Sequence, residues 1–258
     1  MSANAPQPPD PTAWQAQYLR LITFPTEPWV AREQNWWQDL AGAEPESSTR
    51  KRHEREVVGI YQGFSLSLSI DLLRIQWSMA PRIDPSVAQD QPPTLGQFIE
   101  RQNWFTGLMN EWLVQCPPVK RIAFAGTLLQ PVQDHAEGYR RLDQYLRCVD
   151  VDPNSSDLMY RVNRRSPSVT GIPDLSMNRL STWSVARITM AIGVQLLGDL
   201  GYQTGQQMVR DDTFACALDL DINTAPEFPR ELPHDDLPRI FTELADLGVE
   251  IATRGDYR

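Results

Sequence analysis

"FSLSLSIDLLRIQWSM", residues 64–79, alternates twice. Phe64, Leu66, Leu68 and Ile70 fall on one side, with Ser65, Ser67 and Ser69 on the other. Leu73, Ile75, Trp77 and Met79 repeat the pattern. A period of two with small polar residues between apolar ones is that of a strand with one dry face and one wet face. Two such runs joined at Asp71-Leu72 read as an antiparallel hairpin, although the Asn-Gly chemistry of the tightest turns is absent. The dry face must then be covered by something else in the chain.

Downstream, "TLGQFIERQNWFTGLMNEWLVQ" (94–115) supplies a cover. Leu95, Phe98, Phe105, Leu108, Trp112 and Leu113 keep helical spacing, Thr94 and Gln97 have the spacing of a capping box, and Cys116-Pro117-Pro118 ends the run. An apolar strand follows at 121–129. A shorter helix at 136–148 turns Tyr139, Leu142, Tyr145 and Leu146 inward. Strand patterns recur at 158–163, 182–192 and 213–223, and a last helix spans 237–252 behind Asp235 and Asp236, whose charges suit a helix N-terminus. Strands in hairpins with few helices predict an α+β fold: antiparallel sheets covered by helices, in two similar halves. The predicted core is Phe64, Leu66, Leu68, Trp77, Phe98, Phe105, Trp112, Phe124, Leu218, Leu220 and Phe241.

The organisation expected is a disordered Pro-rich tail over 1–11, then a helical extension and linker over 12–55. An α+β half over 56–149 and a second over 150–258 follow, divided at the turn-rich "VDVDPNSSD" (149–157). Within the extension, Pro28 and Gly42 bracket a short helix that carries Trp29, Trp36 and Trp37. The glycines of "GVQLLGDLGYQTG" (193–205) read as a connection between strands rather than a phosphate cradle.

The 258 residues carry a formal charge of −9. Residues 211–258 hold twelve acids against four bases, so the rest of the chain is close to neutral. An acidic chain repels a phosphate backbone, which disfavours nucleic acid as a partner. Cys116, Cys148 and Cys216 are far apart, as in a protein of a reducing compartment. No stretch has the length of an apolar membrane span, and the N-terminus lacks the basic and apolar regions of a secretion signal, so a cytoplasmic location is expected.

Chemistry-bearing motifs are sparse. No dinucleotide-binding or P-loop glycine pattern and no nucleophile elbow occurs, and His53, His135 and His234 stand apart, so no cofactor is implied. "LDLDIN" (218–223) puts Asp219 and Asp221 on one strand face, about 7 Å apart. Such a pair can bridge a Mg²⁺ ion in phosphoryl-transfer or nuclease chemistry; the competing reading is the wet face of an edge strand. "YRVNRRSPS" (160–168) gathers Arg161, Arg164 and Arg165 beside Tyr160. They can pair with the acidic C-terminal region, contact a partner protein, or grip phosphate; the charge balance favours the first and opposes the last. "VNRRS" (162–166) and "MNRLS" (177–181) share Asn-Arg-x-Ser, which places Arg179 near Arg164 if the two segments are neighbours.

Together, "LLRIQWSM", "LMYRVNRR" with "MNRLSTWSV", and "LDLDINT" before a final helix resemble blocks of a sporadically distributed family of uncharacterised bacterial proteins. The resemblance spans residues 56–252. It carries over no catalytic residue, and it implies an accessory role of the kind found in defence systems. With no nucleophile or cofactor motif, the expected function is a non-enzymatic interaction component with a protein partner or self-association. Trp29, Trp36, Trp37 and the arginines are its candidate contact residues, since Trp and Arg dominate binding hot spots.

Overall fold

The computed structural model describes residues 10, 12–28, 35–83, 91–194 and 207–256, with 189–194 and 207–212 described as backbone only. The tail, apart from Asp10, and Trp29 lie outside the described residues, as does most of 193–205. In chain order the elements are β1 (Gln15–Pro25), α1 (Trp36–Ala41), β2 (Ser47–Arg50), β3 (Arg55–Tyr61), β4 (Phe64–Ile70) and β5 (Ile75–Pro81). Then come β6 (Gly96–Gln97), α2 (Phe98–Leu113), β7 (Val119–Val132), α3 (His135–Tyr145), β8 (Met159–Asn163) and β9 (Ser166–Pro167). β10 (Ser176–Val194), β11 (Gln207–Thr224) and α4 (Leu237–Arg254) complete the chain.

The fold is α+β: among the described residues, one antiparallel sheet of 11 strands with four helices packed against it. Its order is β2-β3-β4-β5-β1-β7-β11-β10-β8, with β6 paired to β1 and β9 to β10. The hairpin of residues 64–79 forms as β4 and β5 with Leu68 opposite Trp77 and Ile70 opposite Ile75. Its turn is longer than the sequence suggests. Asp71 closes it by accepting from the backbone N–H of Leu73 and Arg74, which leaves Leu73 69% exposed in the loop instead of on the dry face.

The dry face can be followed across the sheet as one row: Val57, Leu68, Trp77, Leu21, Phe124 and Ile222 on six neighbouring strands, all buried. The helices press on this face. Trp112 of α2 meets Trp77 edge to face at 5.9 Å, and Phe241 of α4 lies 6.0 Å from Phe124. α3 approaches so closely that a methyl group on Gly138 would come within 2.7 Å of Val185. Each fully buried large apolar side chain contributes about 1.5–3 kcal/mol. Every expected core residue lies in this layer, with Phe64 half-buried at its edge against Trp104.

Three expectations are corrected. Residues 15–25 are a central strand, not part of a helical extension; α1 spans Trp36–Ala41, and residues 29–34 of the expected helix lie outside the described residues. A register shift between Ala16 and Tyr18 breaks the alternation that would have marked the strand. The capping box of α2 is absent: backbone N–H groups of Leu95 and Phe98 instead donate to Ala16 and Trp14 carbonyls, so residues before the helix pair with β1. β11 is flanked by β7 and β10, so "LDLDIN" is not an edge strand.

The order of elements repeats. A strand, a helix, an antiparallel meander and a second helix run from β1 to α2, and again from β7 to α4. The first strands of the two units, β1 and β7, pair with each other in the middle of the sheet. The repeat therefore divides at residues 114–118, between α2 and β7, and the turn at 149–157 lies inside the second unit.

Candidate functional site

The arginine-rich stretch runs out of β8 into β9, beside the start of β10. Arg164 donates through Nε and a terminal nitrogen to both carboxylate oxygens of Asp256, at 2.9 and 2.8 Å, and the Tyr160 hydroxyl donates to the same carboxylate at 2.7 Å. Asp256 is buried, and the Arg164 guanidinium holds its carboxyl below the usual range against the cost of burial. Burial first, and then the hydrogen bond to Asp256, push the Tyr160 phenol up. Arg165 pairs with Glu227, and Arg179 with Glu250 at 3.3 Å. All three acids belong to the acidic C-terminal region. The Asn-Arg-x-Ser segments do become neighbours: Asn163 donates to Asn178 at 3.2 Å, and the Arg164 N–H to the Arg179 carbonyl at 3.2 Å. Arg161 stands exposed opposite Thr182.

On β11, Leu218, Leu220 and Ile222 are buried on the dry face, and Asp219 and Asp221 are exposed on the open face of the sheet. Asp219 accepts a hydrogen bond from Thr127, and Asp221 accepts one from Asn223 at 2.8 Å. Asn223 in turn accepts from Arg121 at 2.8 Å and from Asn178 at 3.1 Å. Among the described residues, no three His, Cys, Asp or Glu side chains gather to hold a metal ion. His234 bonds the Cys116 carbonyl at 3.0 Å and so ties the entry of α4 to the end of α2.

Trp36 and Trp37 are buried, which assigns them to the core and not to an exposed contact surface. Trp36 packs edge to face on Trp112 at 5.5 Å, and Trp37 donates its indole N–H to the Leu66 carbonyl at 3.3 Å. Gly59 makes room for this ring, since a methyl group there would lie 2.5 Å from it.

A cleft lies elsewhere, between α4, the end of α2 and residues 166–170. It encloses about 680 Å³ and is lined by Asn110, Pro167, Val169, Arg179, Pro238, Glu243, Asp246, Leu247 and Glu250 among others. Glu243 pins its wall: the Ser168 hydroxyl and the Val169 N–H donate to its carboxylate at 2.6 and 2.8 Å. Burial, reinforced by the Glu243 charge, raises the carboxyl of Asp246. Sequence reading passed over this cleft. Its one advance signal is the spacing of Glu243, Asp246 and Glu250, which puts three acids on one stripe of α4.

No family model matches this chain, and no curated protein matches its sequence.

Proposed function

We propose that this chain is a non-enzymatic interaction component, of the accessory and defence type that its resemblance implies, and that it acts by binding another protein chain. The observation that supports this reading is the ribbon at the end of β10 and β11. β8 pairs with β10 only as far as Ser184, and β7 pairs with β11 only as far as Phe214 opposite Val132. Beyond these points, among the described residues, β10 and β11 pair only with each other, out to Val194 opposite Gln207. Seven rungs, from Thr213 opposite Ile188 out to Gln207 opposite Val194, carry the ribbon roughly 23 Å past its last inner neighbour.

A two-stranded ribbon is marginal by itself, and each of its edges presents unpaired N–H and C=O groups that template a further strand. A protein partner or a second copy supplies that strand by β-addition. Meanwhile Arg164, Arg165 and Arg179 are engaged by this chain's own acids, which removes most of the charge that a phosphate grip would use.

Site-specific photo-crosslinking from positions 190 and 209, in the native host, tests the proposal. The expected result is a discrete protein adduct from both positions and none from position 67 on the open sheet face. A monomeric protein that forms no adduct from either ribbon position overturns it.

A further inference from the structure

The geometry points to the α4 cleft as a docking groove for a basic segment of a partner protein, in which a lysine or arginine side chain reaches Asp246. This inference rests on the interaction reading above and names a chemistry for it. Its volume, about 680 Å³, is in the range of binding clefts.

The charges of the cleft do not balance within the described residues. Glu250 is neutralised by Arg179 at 3.3 Å and Arg254 at 3.6 Å. Arg239 is engaged by Asp236 at 2.8 Å and by the Thr170 carbonyl at 3.2 Å. Glu243 receives only neutral donors, from Ser168 and Val169. Asp246, one turn further along α4, has neither a hydrogen bond nor an ion pair among the described residues, and it is exposed. Beside it, Asn110 donates to Thr242 at 3.1 Å.

The cleft thus offers acceptors and uncompensated negative charge next to apolar walls. Val169 is 85% exposed at the rim, with Pro167, Pro238 and Leu247 also lining the cleft. A lysine or arginine matches both features, because its aliphatic stem lies on apolar surface while its head brings donors and charge. The residues of a peptide that flank the cation also cover the exposed Val169 rim, which a free amine does not. The opposite choice, an acidic segment, would meet Glu243 and Asp246 and be repelled.

The test uses the full chain and fluorescent acetylated peptide libraries that differ only at a central arginine, lysine, citrulline or glutamate, read by anisotropy. Arginine and lysine libraries are expected to bind. Citrulline, glutamate and the Asp246→Asn protein should each weaken binding about tenfold or more, while Asp221→Asn leaves it unchanged. Equal binding of arginine and citrulline libraries, or no effect of Asp246→Asn in a protein of unaltered circular dichroism, overturns the inference. So does methylguanidine binding as tightly as the peptides, which would make the cleft a small-cation site. Ribbon photo-adducts are recorded on the same Asp246→Asn protein. If they persist while no library binds, the groove falls and the interaction reading stands.

Discussion

Asp256 joins the end of the chain to the second unit of the fold through three hydrogen bonds from Arg164 and Tyr160. Because its folded carboxyl titrates below the ordinary 3.8, its contribution is present in full above that value and is lost as pH falls through the folded one. Arg164 is 39% exposed, which screens the pair. Asp256→Ala is expected to cost roughly 2 kcal/mol at neutral pH and Tyr160→Phe about 1 kcal/mol, by urea unfolding. The Asp256→Ala deficit should shrink as the medium is acidified below pH 3.8; a deficit that stays constant down the acid range would refute the assignment. At the same scale, Asp219 and Asp221 each already accept a protein hydrogen bond. Calorimetric titration with Mg²⁺ or Mn²⁺ is expected to show no heat of binding. A saturable heat abolished by Asp221→Asn would restore the metal reading.

The packing of elements is close where α3 crosses β10. Alanine at Gly138 gains about 1 kcal/mol of helix propensity but drives a methyl group to 2.7 Å from Val185, and overpacking of this kind costs about 1–3 kcal/mol. The net expectation is a loss of stability in Gly138→Ala that Val185→Ala relieves in the double variant. Thermal denaturation of the four-member cycle measures it. Additive losses would mean that the two positions do not compete for the same space. Gly255 is bound by a different constraint. Its φ of +77° is left-handed, and a side chain would sit 2.0 Å from the Tyr145 carbonyl, so any substitution there must displace the turn that delivers Asp256.

At the scale of the molecule, two repeated units share one sheet, and their first strands are each other's neighbours at its centre. The buried row from Val57 to Ile222 crosses that junction without a gap. Splitting the units would strip the inner edge from β1 and β7 and open the core between α2 and α4. Unfolding is therefore expected to be a single cooperative transition, coincident by far-ultraviolet circular dichroism and tryptophan fluorescence. Two separated transitions would show that the units hold their own cores.

The amino-acid sequence alone determined the α+β class, the helices α2, α3 and α4, the hairpin of β4 and β5 and the core residues named from their periodicity, all of them buried except the half-buried Phe64. In each of these the hydrophobic period matches one element and one buried face, which is local information. It also determined the pairing of arginines with the acidic C-terminal region, because charge balance is a property of composition. Only the tertiary structure decided the rest. β1 was hidden because its register shift interrupts the alternation, and its place at the centre of the sheet depends on partners about sixty and a hundred residues away. The buried state of Trp37 depends on the space at Gly59 and that of Trp36 on its packing against Trp112, and the interior position of β11 depends on the order of strands. The α4 cleft brings together Asn110, Val169 and Asp246 from three separate parts of the chain. No local pattern encodes such a meeting, because it exists only once the sheet has set where each helix and connection must lie.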